Sequence, residues 1–284
     1  MPELPEVETI RRQLAPRVEG RTLESVTVLD ERWSRPLEPA AMERALAGRQ
    51  VESLGRRGKY LVWELSGERF LLQHLRMTGN VLYDPDEAPA HTRVRFGLDD
   101  DHELLIVDAR RFGTGQLADG RGGLEAFVGA RLGIEPFQPE FTAEHLRELG
   151  RASRAPIKAF LLDQRKVAGV GNIYADEALF RAGIHPLRET RRLARAQWES
   201  LASTVEDALR AGIDARGASI DDFRHVDGAR GAFQDRFLVH RREGEPCPRC
   251  GGPVRKLVAA GRGTYVCERC QPRPRRRGRA AIKR

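Results

Sequence analysis

The chain has 284 residues, of which 40% are hydrophobic and 32% charged, and its formal net charge of +8 is typical of proteins that bind nucleic acid. This length predicts two domains with buried cores. No run approaches the ~18 consecutive apolar residues of a membrane helix, and the acidic start has no apolar signal segment, so we expect a soluble, cytoplasmic protein of bacterial type.

The first predicted element is a helix over residues 5–15. Pro5 suits the first helical position, and Glu6 and Glu8 suit the first turn, because a helix N-terminus carries partial positive charge. From residue 22 to 117 the chain changes to short alternating or β-branched runs, such as LESVTVLD, RFLLQHLRM and ELLIVDARRFG, separated by Gly, Asp and Pro. This pattern predicts an antiparallel sheet folded as a sandwich or barrel.

Helical periodicity follows a linker at residues 132–141. It covers TAEHLREL, APIKAFLLDQR, NIYADEALFRAG and a longer segment near residues 190–212. Residues 213–235 are rich in Gly and Asp and contain few core residues, so we expect a long loop there. The pattern of residues 236–270 predicts a short β unit around the cysteines.

All four cysteines lie near the end of the chain, as Cys247-x2-Cys250-x16-Cys267-x2-Cys270. Two CxxC pairs are typical of a structural zinc site, because each pair presents two thiolates from a tight turn. Four thiolates fill the tetrahedral shell, and redox-active or unrelated cysteines are the alternative. Between the pairs, LVAAGRGTYVC predicts a hairpin with Arg262 at its tip, either entering a DNA groove or simply exposed.

The segment after Cys270, QPRPRRRGRAAIKR, carries seven Arg or Lys and no acid. Removing those seven charges from +8 leaves +1 for residues 1–270, so a body that binds DNA must gather its positive charge on one face. The tail has almost no large apolar side chains and is predicted to be disordered. It would either add salt-sensitive affinity for DNA or serve only solubility.

Three separated motifs, MPELPEVET, GVGNIYADE and the four-cysteine finger, together resemble the formamidopyrimidine-DNA glycosylase family over about residues 1–270. The resemblance implies an α+β, multidomain fold: an N-terminal antiparallel β-sandwich, then a helical domain with a helix–two-turn–helix motif and a four-cysteine zinc finger. The expected boundaries are 1–134 for the sandwich, 135–235 for the helical domain with its lesion-capping loop, 236–271 for the finger and 272–284 for the basic tail.

Within PELPEVE, the resemblance implies that Pro2 is the nucleophile once Met1 is removed. A generic α-amino group has a pKa of about 7.7–8.0 against about 10.4 for lysine, so it is far richer in the neutral form at pH 7. Attack on C1′ of the damaged nucleotide would expel the base and give an iminium cation. That cation acidifies the C2′ proton, so strand cleavage by β-elimination and then δ-elimination would follow.

The same resemblance implies roles for four further charged residues. Glu3 would be the general acid/base, which needs a carboxyl whose pKa is raised by burial. Glu6 matches a second family acid, although its place in the first turn also suits a helix-stabilising role. Lys59 matches a lysine near the sugar and phosphate of the lesion, although by itself it would be a solvated charge. Arg262 matches a finger arginine that binds phosphate and donates a proton in δ-elimination.

A glycosylase must extract the damaged nucleotide and fill the space that it leaves. Met77, Arg110 and Phe112 match the three void-filling residues of the family, with Arg110 facing the orphaned base and Arg111 holding a phosphate. The segment has Ala109 where the family usually has proline. On composition alone, Met77 and Phe112 would be assigned to the core.

GVGNIYADE is expected to grip the DNA backbone. Gly169 and Gly171 permit a tight turn, Asn172 is expected to cap the next helix, and a helix N-terminus binds anions. His91 matches another DNA contact of the family, and residues 213–235 match the loop that closes over the flipped base. Basic side chains expected to supply the positive face are Arg147, Arg151, Arg154, Lys158, Arg165 and Lys166, of which Arg154 and Lys158 are predicted DNA contacts.

The nearest alternative is an endonuclease VIII-like glycosylase for oxidised pyrimidines, against which PELPEVE and the Met77, Arg110 and Phe112 set argue. A second is a non-catalytic DNA-binding protein on the same fold, which leaves Pro2 and Glu3 unexplained. A zinc-ribbon transcription module would leave the whole N-terminus unexplained. We therefore expect a monomeric DNA glycosylase and abasic-site lyase of base excision repair. It should hold one structural Zn²⁺, act on oxidised purines such as 8-oxoguanine in damaged double-stranded DNA, and make no membrane contact.

Overall fold

The computed structural model describes residues 1–220 and 222–274. Its helices are α1 Leu4–Val18, α2 Glu31–Ser34, α3 Pro39–Leu46, α4 Gly120–Gly129, α5 Ala143–Gly150, α6 Ile157–Leu162, α7 Asn172–Arg181 and α8 Arg195–Asp214. Its strands are β1 Thr22–Val28, β2 Arg49–Arg57, β3 Tyr60–Leu65, β4 Arg69–His74, β5 Asn80–Tyr83, β6 Thr92–Leu98, β7 Glu103–Val107, β8 Thr114–Asp119, β9 Arg255–Ala259 and β10 Arg262–Val266. Of the predicted tail, residues 275–284 lie outside the described part of the chain.

The N-terminal half is an antiparallel sheet in the order β5-β7-β6-β1-β2-β3-β4-β8. Strands β1 and β2 pair only at their ends, whereas β1 with β6 and β2 with β3 pair along their lengths. The sheet therefore folds into two four-stranded halves that face each other. Trp63 of β3 stacks on Phe96 of β6 with ring centroids 6.0 Å apart, and Trp33 packs edge-on against the same ring. These contacts confirm the predicted sandwich.

Helix α1 connects the two halves of the molecule. It includes the predicted residues 5–15, and Glu6 reaches back so that its Oε2 accepts the N–H of Glu3 at 2.8 Å. Val7 and Ile10 are buried in the sandwich core, whereas Leu4 belongs to the core of the helical domain. Because one helix packs into both cores, the residues at its start lie at the junction between the domains.

The four predicted helical segments of the C-terminal half all form helices. They share a second core that includes Leu146 of α5, Phe160 of α6, Tyr174 of α7 and Trp198 of α8. Thr142 caps α5 because its hydroxyl accepts the N–H of His145 at 3.1 Å. Among the described residues, no helix has the length and apolar character needed to cross a lipid bilayer.

The sequence pattern did not predict helix α4, whose sequence GRGGLEAFVG contains four glycines. Each glycine costs about 1 kcal/mol of helix stability relative to alanine. The helix forms nevertheless because Leu124 and Phe127 pack against Tyr60 and Phe70 of the sheet. Burial of these side chains outweighs the unfavourable local propensity.

The expectation that residues 213–235 contribute little to the core is wrong. Phe223 and Val226 are buried in the sandwich core, and Ser219 and His225 are buried as well. Alternation and periodicity cannot reveal these anchors, because the segment is irregular and its partners lie in the other domain. We call residues 217–220 and 222–232 the capping segment, because they cover one side of the cavity described below.

The finger contains a hairpin of β9 and β10. Its turn consists of Ala260 and Gly261, which both have positive φ (53° and 69°), as a tight two-residue hairpin turn requires. Arg262 is exposed and pairs with Ala259 at the first position of β10. It therefore follows the turn instead of forming its tip, which corrects the prediction.

Candidate active site and DNA-binding surface

A cavity of about 200 Å³ opens where α1, the start of α7, the capping segment and the finger meet. Glu3, Met77, Asn172 and Arg262 line it, so it brings together residues predicted from four separate stretches of sequence. Met1 also lines this cavity, and Pro2, the next residue, is buried. Removal of Met1 would therefore both expose the Pro2 nitrogen and enlarge the space in front of it.

Glu3 lies at the N-terminus of α7 and is only 2% exposed. Its Oε1 accepts the N–H of Ile173 at 3.0 Å, and its Oε2 accepts that of Tyr174 at 3.4 Å. These two donors, together with the partial positive charge of the helix end, fix the position of the carboxylate. The helix N-terminus that was expected to bind an anion thus holds a carboxylate of the protein itself.

The GVGN turn approaches the start of α1 very closely. The N–H of Leu4 donates to the carbonyl of Gly169 at 3.1 Å, and Gly169 has a φ of +92°. A Cβ atom at Gly171 would overlap the carboxyl carbon of Glu3. Gly171 is also the N-cap residue of α7, whereas Asn172 is its first helical residue, which corrects the prediction that Asn172 caps the helix.

Asn172 connects α7 to the finger. Its Nδ2 donates to the carbonyl of Gly263 at 3.1 Å, beside Arg262, and its Oδ1 is buried without a hydrogen-bond partner among the described residues. The side chain therefore positions the hairpin, and the phosphate contact expected of it stays a prediction.

Glu6 joins three elements around the cavity. Its Oε1 accepts the hydroxyl of Tyr174 at 2.7 Å and the N–H of Ala218 at 2.8 Å, while its Oε2 accepts the N–H of Glu3. Burial, and then the neighbouring charge of Glu3, raise the pKa of Glu6. The reach back to Glu3 shows the helix-stabilising role, and the contact with Ala218 ties the same carboxyl to the capping segment.

Lys59 lies in the turn between β2 and β3, and it is buried, not a solvated charge. Burial lowers the pKa of Lys59. The negative charges of Glu3 and Glu6 oppose that shift, whereas the positive charge of Arg262 adds to it. Because these charges act on one another, Lys59 belongs to the same site as the two carboxyls and the finger arginine.

Glu135, which sequence reasoning missed, holds the Lys59 turn in place. It is buried, accepts the N–H of Gly58 at 2.8 Å, and forms ion pairs with Arg56 and Arg57. The linker thereby fixes the turn that presents Lys59. No local pattern could identify Glu135, because its partners lie more than 70 residues away in the chain.

The predicted void-filling residues lie on two turns, which we call the Met77 turn (residues 75–79) and the Arg110 turn (residues 108–113). Met77 is half-buried and faces the cavity. Phe112 is 50% exposed, so it is not a core residue, and the guanidinium of Arg110 lies 4.8 Å from its ring centroid. Buried Asp108 shapes the Arg110 turn by accepting the N–H of Phe112 at 2.8 Å.

The structure does not present Lys158 to DNA. Its side chain is fully buried, and its Nζ lies 2.7 Å from both Asp176 Oδ1 and Thr264 Oγ1. The prediction of Lys158 as a DNA contact is therefore contradicted by its burial. The lysine instead binds the helical domain to the finger, because Thr264 belongs to β10 and Asp176 to α7.

The other predicted DNA contacts lie outside the cavity and on the surface. Arg111 is exposed and pairs with Asp30 at 2.6 Å. His91 is exposed beside Arg93, with its Nδ1 3.3 Å from the guanidinium. Arg154 is exposed as well. All three side chains are exposed, and their contacts with DNA remain predictions.

The four cysteines form a metal site. Their Sγ atoms all lie within 4.8 Å of one another, with Cys247 and Cys270 3.8 Å apart and Cys250 and Cys267 3.4 Å apart. Tetrahedral Zn²⁺ with Zn–S bonds of about 2.3 Å places its sulfur atoms about 3.8 Å apart. The donors and their spacing therefore fit one structural zinc, as predicted.

Three family models match the chain in the order of its domains. They are the formamidopyrimidine-DNA glycosylase N-terminal domain at residues 1–115, the formamidopyrimidine-DNA glycosylase H2TH domain at 132–224, and the zinc finger found in FPG and IleRS at 244–273. Formamidopyrimidine-DNA glycosylase of Symbiobacterium thermophilum is 46% identical over 277 residues, 96% of this chain and 90% of that protein. The chain belongs to the formamidopyrimidine-DNA glycosylase family.

Other family members match over nearly their full length. The glycosylase of Bacillus licheniformis is 42% identical over 95% of this chain and 99% of its own. The crystal structure of the Thermus thermophilus enzyme is 41% identical, with a TM-score of 0.86 over 95% of this chain and 98% of that one. The crystal structure of a Lactococcus lactis mutant enzyme in complex with Fapy-dG DNA is 35% identical, with a TM-score of 0.89 over 96% of this chain and 100% of that one. The protein is therefore an enzyme, a DNA glycosylase of base excision repair.

Proposed function

We propose that the enzyme excises oxidised purines, namely 8-oxoguanine and formamidopyrimidines, from double-stranded DNA and then cleaves the strand at the abasic site. The observation that carries this proposal is the convergence of Glu3 and Arg262 on one cavity beside Met1, with the charges of both acting on buried Lys59. The Lactococcus lactis family member has been crystallised with Fapy-dG DNA and with DNA containing an abasic site. Both a purine substrate and the abasic intermediate therefore fit a closely similar fold.

The first step is substitution at C1′. The Pro2 nitrogen attacks C1′, the bond from C1′ to the base breaks, and the departing base takes a proton from a neighbouring acid or from water. Opening of the sugar ring moves the proton of the amine to O4′ and leaves an iminium between Pro2 and C1′. Glu3 adjoins Pro2 in sequence, and two helix N–H groups hold its carboxylate in place, so it can exchange protons at a defined position.

Elimination then breaks the strand. The iminium draws electrons from C2′, so loss of a C2′ proton breaks the bond from C3′ to the 3′ phosphate. Loss of a C4′ proton next breaks the bond from C5′ to the 5′ phosphate. Arg262 is exposed at the cavity and can bind the departing phosphate. Lys59, with its lowered pKa, can give or take a proton nearer neutral pH than an exposed lysine.

We further propose that the enzyme acts as a monomer on chromosomal DNA in the cytoplasm. One chain supplies every group named at the cavity, so no second copy is needed to complete the site. The domain boundaries, 1–134, 135–235 and 236–271, are part of the same proposal. They are supported by the two separate cores and by the position of Glu135 at the start of the helical half.

The proposal is tested by trapping the iminium. Incubation with duplex DNA containing 8-oxoguanine opposite cytosine, followed by borohydride reduction, should give a covalent adduct that is absent in Pro2→Gly. A version with a blocked N-terminus should also give no adduct while binding DNA nearly as well, because the nucleophile is the free amine. Undamaged duplex serves as the control substrate.

Two outcomes would contradict this function. Binding to damaged DNA without any adduct would indicate a non-catalytic damage sensor. Faster trapping on oxidised thymine than on 8-oxoguanine would indicate the endonuclease VIII type. The Lactococcus lactis family member has been crystallised with DNA containing an oxidised pyrimidine, so slow activity on oxidised thymine is compatible with the proposal and the comparison of rates decides.

A further inference from the structure

Asn80 lies at the first position of β5, directly after the Met77 turn, and is 8% exposed. Its Nδ2 donates to the carbonyl of Thr78 at 3.2 Å and to the carbonyl of Asp222 at 3.0 Å. Its Oδ1 accepts the N–H of Arg224 at 2.8 Å. One amide side chain therefore bonds to both the Met77 turn and the capping segment.

Hydrogen bonds also join the Met77 turn to the Arg110 turn. The hydroxyl of Thr78 donates to Asp108 Oδ1, and the other oxygen of Asp108 accepts the N–H groups of Phe112 and Gly113 at 2.8 and 2.7 Å. The two turns that carry the void-filling side chains are thus held by one buried carboxylate. Asn80 extends this hydrogen-bond network from Thr78 to the capping segment.

The capping segment continues this connection to the acidic site. The N–H of Ala218 donates to Glu6 at 2.8 Å. On the other side, the N–H of Tyr83 donates to the carbonyl of Val226 at 2.9 Å, and the N–H of Val226 donates to Gln13 Oε1 at 3.3 Å. With Val226 buried in the sandwich core, the segment is held both at Ala218 and at Val226.

We propose that Asn80 is a positioning residue that couples filling of the DNA void to capping of the extruded base. When the Met77 turn is seated in the duplex, Asn80 holds the capping segment against the cavity that receives the base. This inference rests on the proposed glycosylase function. An abasic site has no base to cap, so strand cleavage at a preformed abasic site does not depend on Asn80.

Two variants separate the contacts of Asn80. Asn80→Ala removes all three hydrogen bonds. Asn80→Asp keeps an acceptor for the N–H of Arg224 but places a second oxygen against the carbonyls of Thr78 and Asp222. In both, single-turnover release of 8-oxoguanine should slow at least about tenfold, as expected when buried hydrogen bonds are lost. Borohydride trapping on a preformed abasic site should stay within about twofold of wild type.

Hydrogen exchange provides a readout that does not depend on catalysis. The amides of Arg224 and Val226 should exchange faster in both variants, whereas those of β9 and β10 should be unchanged. The matched control is Gln73→Ala, which removes a buried amide that accepts the indole N–H of Trp63 at 3.0 Å in the sandwich, outside this connection. Gln73→Ala should lower stability but should change release of 8-oxoguanine and trapping on abasic DNA by the same factor.

Three outcomes would overturn the proposal. Unchanged release of 8-oxoguanine in Asn80→Ala would show that base excision does not depend on the hydrogen bonds of Asn80. A parallel loss of both activities in both Asn80 variants, as in a destabilised Gln73→Ala, would show a merely structural role. Unchanged exchange at Arg224 and Val226 would show that Asn80 does not hold the capping segment. Failure of the wild-type enzyme to trap abasic DNA would instead contradict the proposed function.

Discussion

At the scale of single residues, Glu3 and Glu6 show how position decides chemistry. Both are buried near the start of one helix, but the Glu3 oxygens accept N–H groups from α7, whereas Glu6 Oε1 accepts from Tyr174 and Ala218. Glu3 is therefore held by a rigid helix end, and Glu6 partly by an irregular segment. The first arrangement suits a group that must keep its place during proton transfer.

His74 provides a prediction about pH that does not depend on activity. Burial, and then the charges of Arg76 and Lys59, lower the pKa of His74 to about 3, and its Nδ1 accepts the N–H of Arg76 at 2.9 Å. Below pH ~6.5 the unfolded chain binds a proton here that the folded chain does not. The free energy of unfolding should therefore fall as pH decreases, by about 1.4 kcal/mol at one unit below that value.

His74→Asn keeps an acceptor near the N–H of Arg76 and removes the titrating ring. Urea unfolding at pH 7.5 and 5.5 should show that the variant loses less stability than wild type between the two values. Other titrating groups are common to both proteins and cancel in the difference. Equal losses in the two proteins would refute the assignment to His74.

At the scale of elements, the turn before α7 is built around close contact. Gly169 has positive φ, and at Gly171 the chain leaves no space for a side chain beside Glu3. The predicted anion-binding helix end is present, but tertiary packing directs the N–H groups of Ile173 and Tyr174 to Glu3. The GVGN motif therefore positions a carboxyl of the protein, whatever it also contributes to DNA binding.

Gly171→Ala should displace Glu3, because the added methyl would overlap the Glu3 carboxyl carbon. A misplacement of about 1 Å at a reacting group costs on the order of a hundredfold in rate, so excision of 8-oxoguanine should fall by that order. The matched control is Gly122→Ala in α4, where an added methyl meets nothing within 4 Å. It should leave activity unchanged and stabilise the protein by about 0.5–1 kcal/mol.

A Gly171→Ala enzyme as active as Gly122→Ala would show that the position of Glu3 tolerates movement or does not limit the rate. Thermal unfolding of both variants must accompany the rates, because Gly171→Ala can also destabilise the junction between the domains. Single-turnover rates measured well below both unfolding temperatures separate the two effects.

At the scale of the whole molecule, the cavity lies where two cores and a finger meet. Helix α1 packs into both cores, Glu135 binds the linker to the Lys59 turn, and Lys158 binds the finger to the helical domain. These contacts bring Arg262 to the cavity together with Glu3. The active site therefore depends on the relative placement of all three parts.

Zinc removal tests that dependence. Without the metal, the turns that carry Cys247 and Cys267 lose their crosslink, so β9 and β10 should no longer place Arg262 at the cavity. Strand cleavage should fall at least about a hundredfold, the order expected for the loss of one positioned donor. The near-ultraviolet circular dichroism of Trp33 and Trp63 should persist, because both lie in the separate sandwich core.

The measurement compares wild-type enzyme, chelated enzyme and the variant Cys250→Ser for bound zinc, DNA cleavage and circular dichroism. Wild type should bind one zinc per chain, and adding zinc back should restore the chelated enzyme. Retained cleavage in zinc-free protein would contradict the placement of Arg262 by the metal.

The sequence by itself determined the features that are written in contiguous residues. The paired cysteine spacing predicted the zinc site, the motif beginning at Pro2 predicted the family, and the periodicities predicted the antiparallel sheet and the main helices of the C-terminal half, because each depends on neighbours in the chain. Tertiary structure alone decided that Lys158 is buried on Asp176, that Glu135 holds the Lys59 turn, and that the capping segment docks through Asn80. These contacts join residues that are far apart in the chain, and burial and hydrogen-bond partners between such residues leave no local pattern.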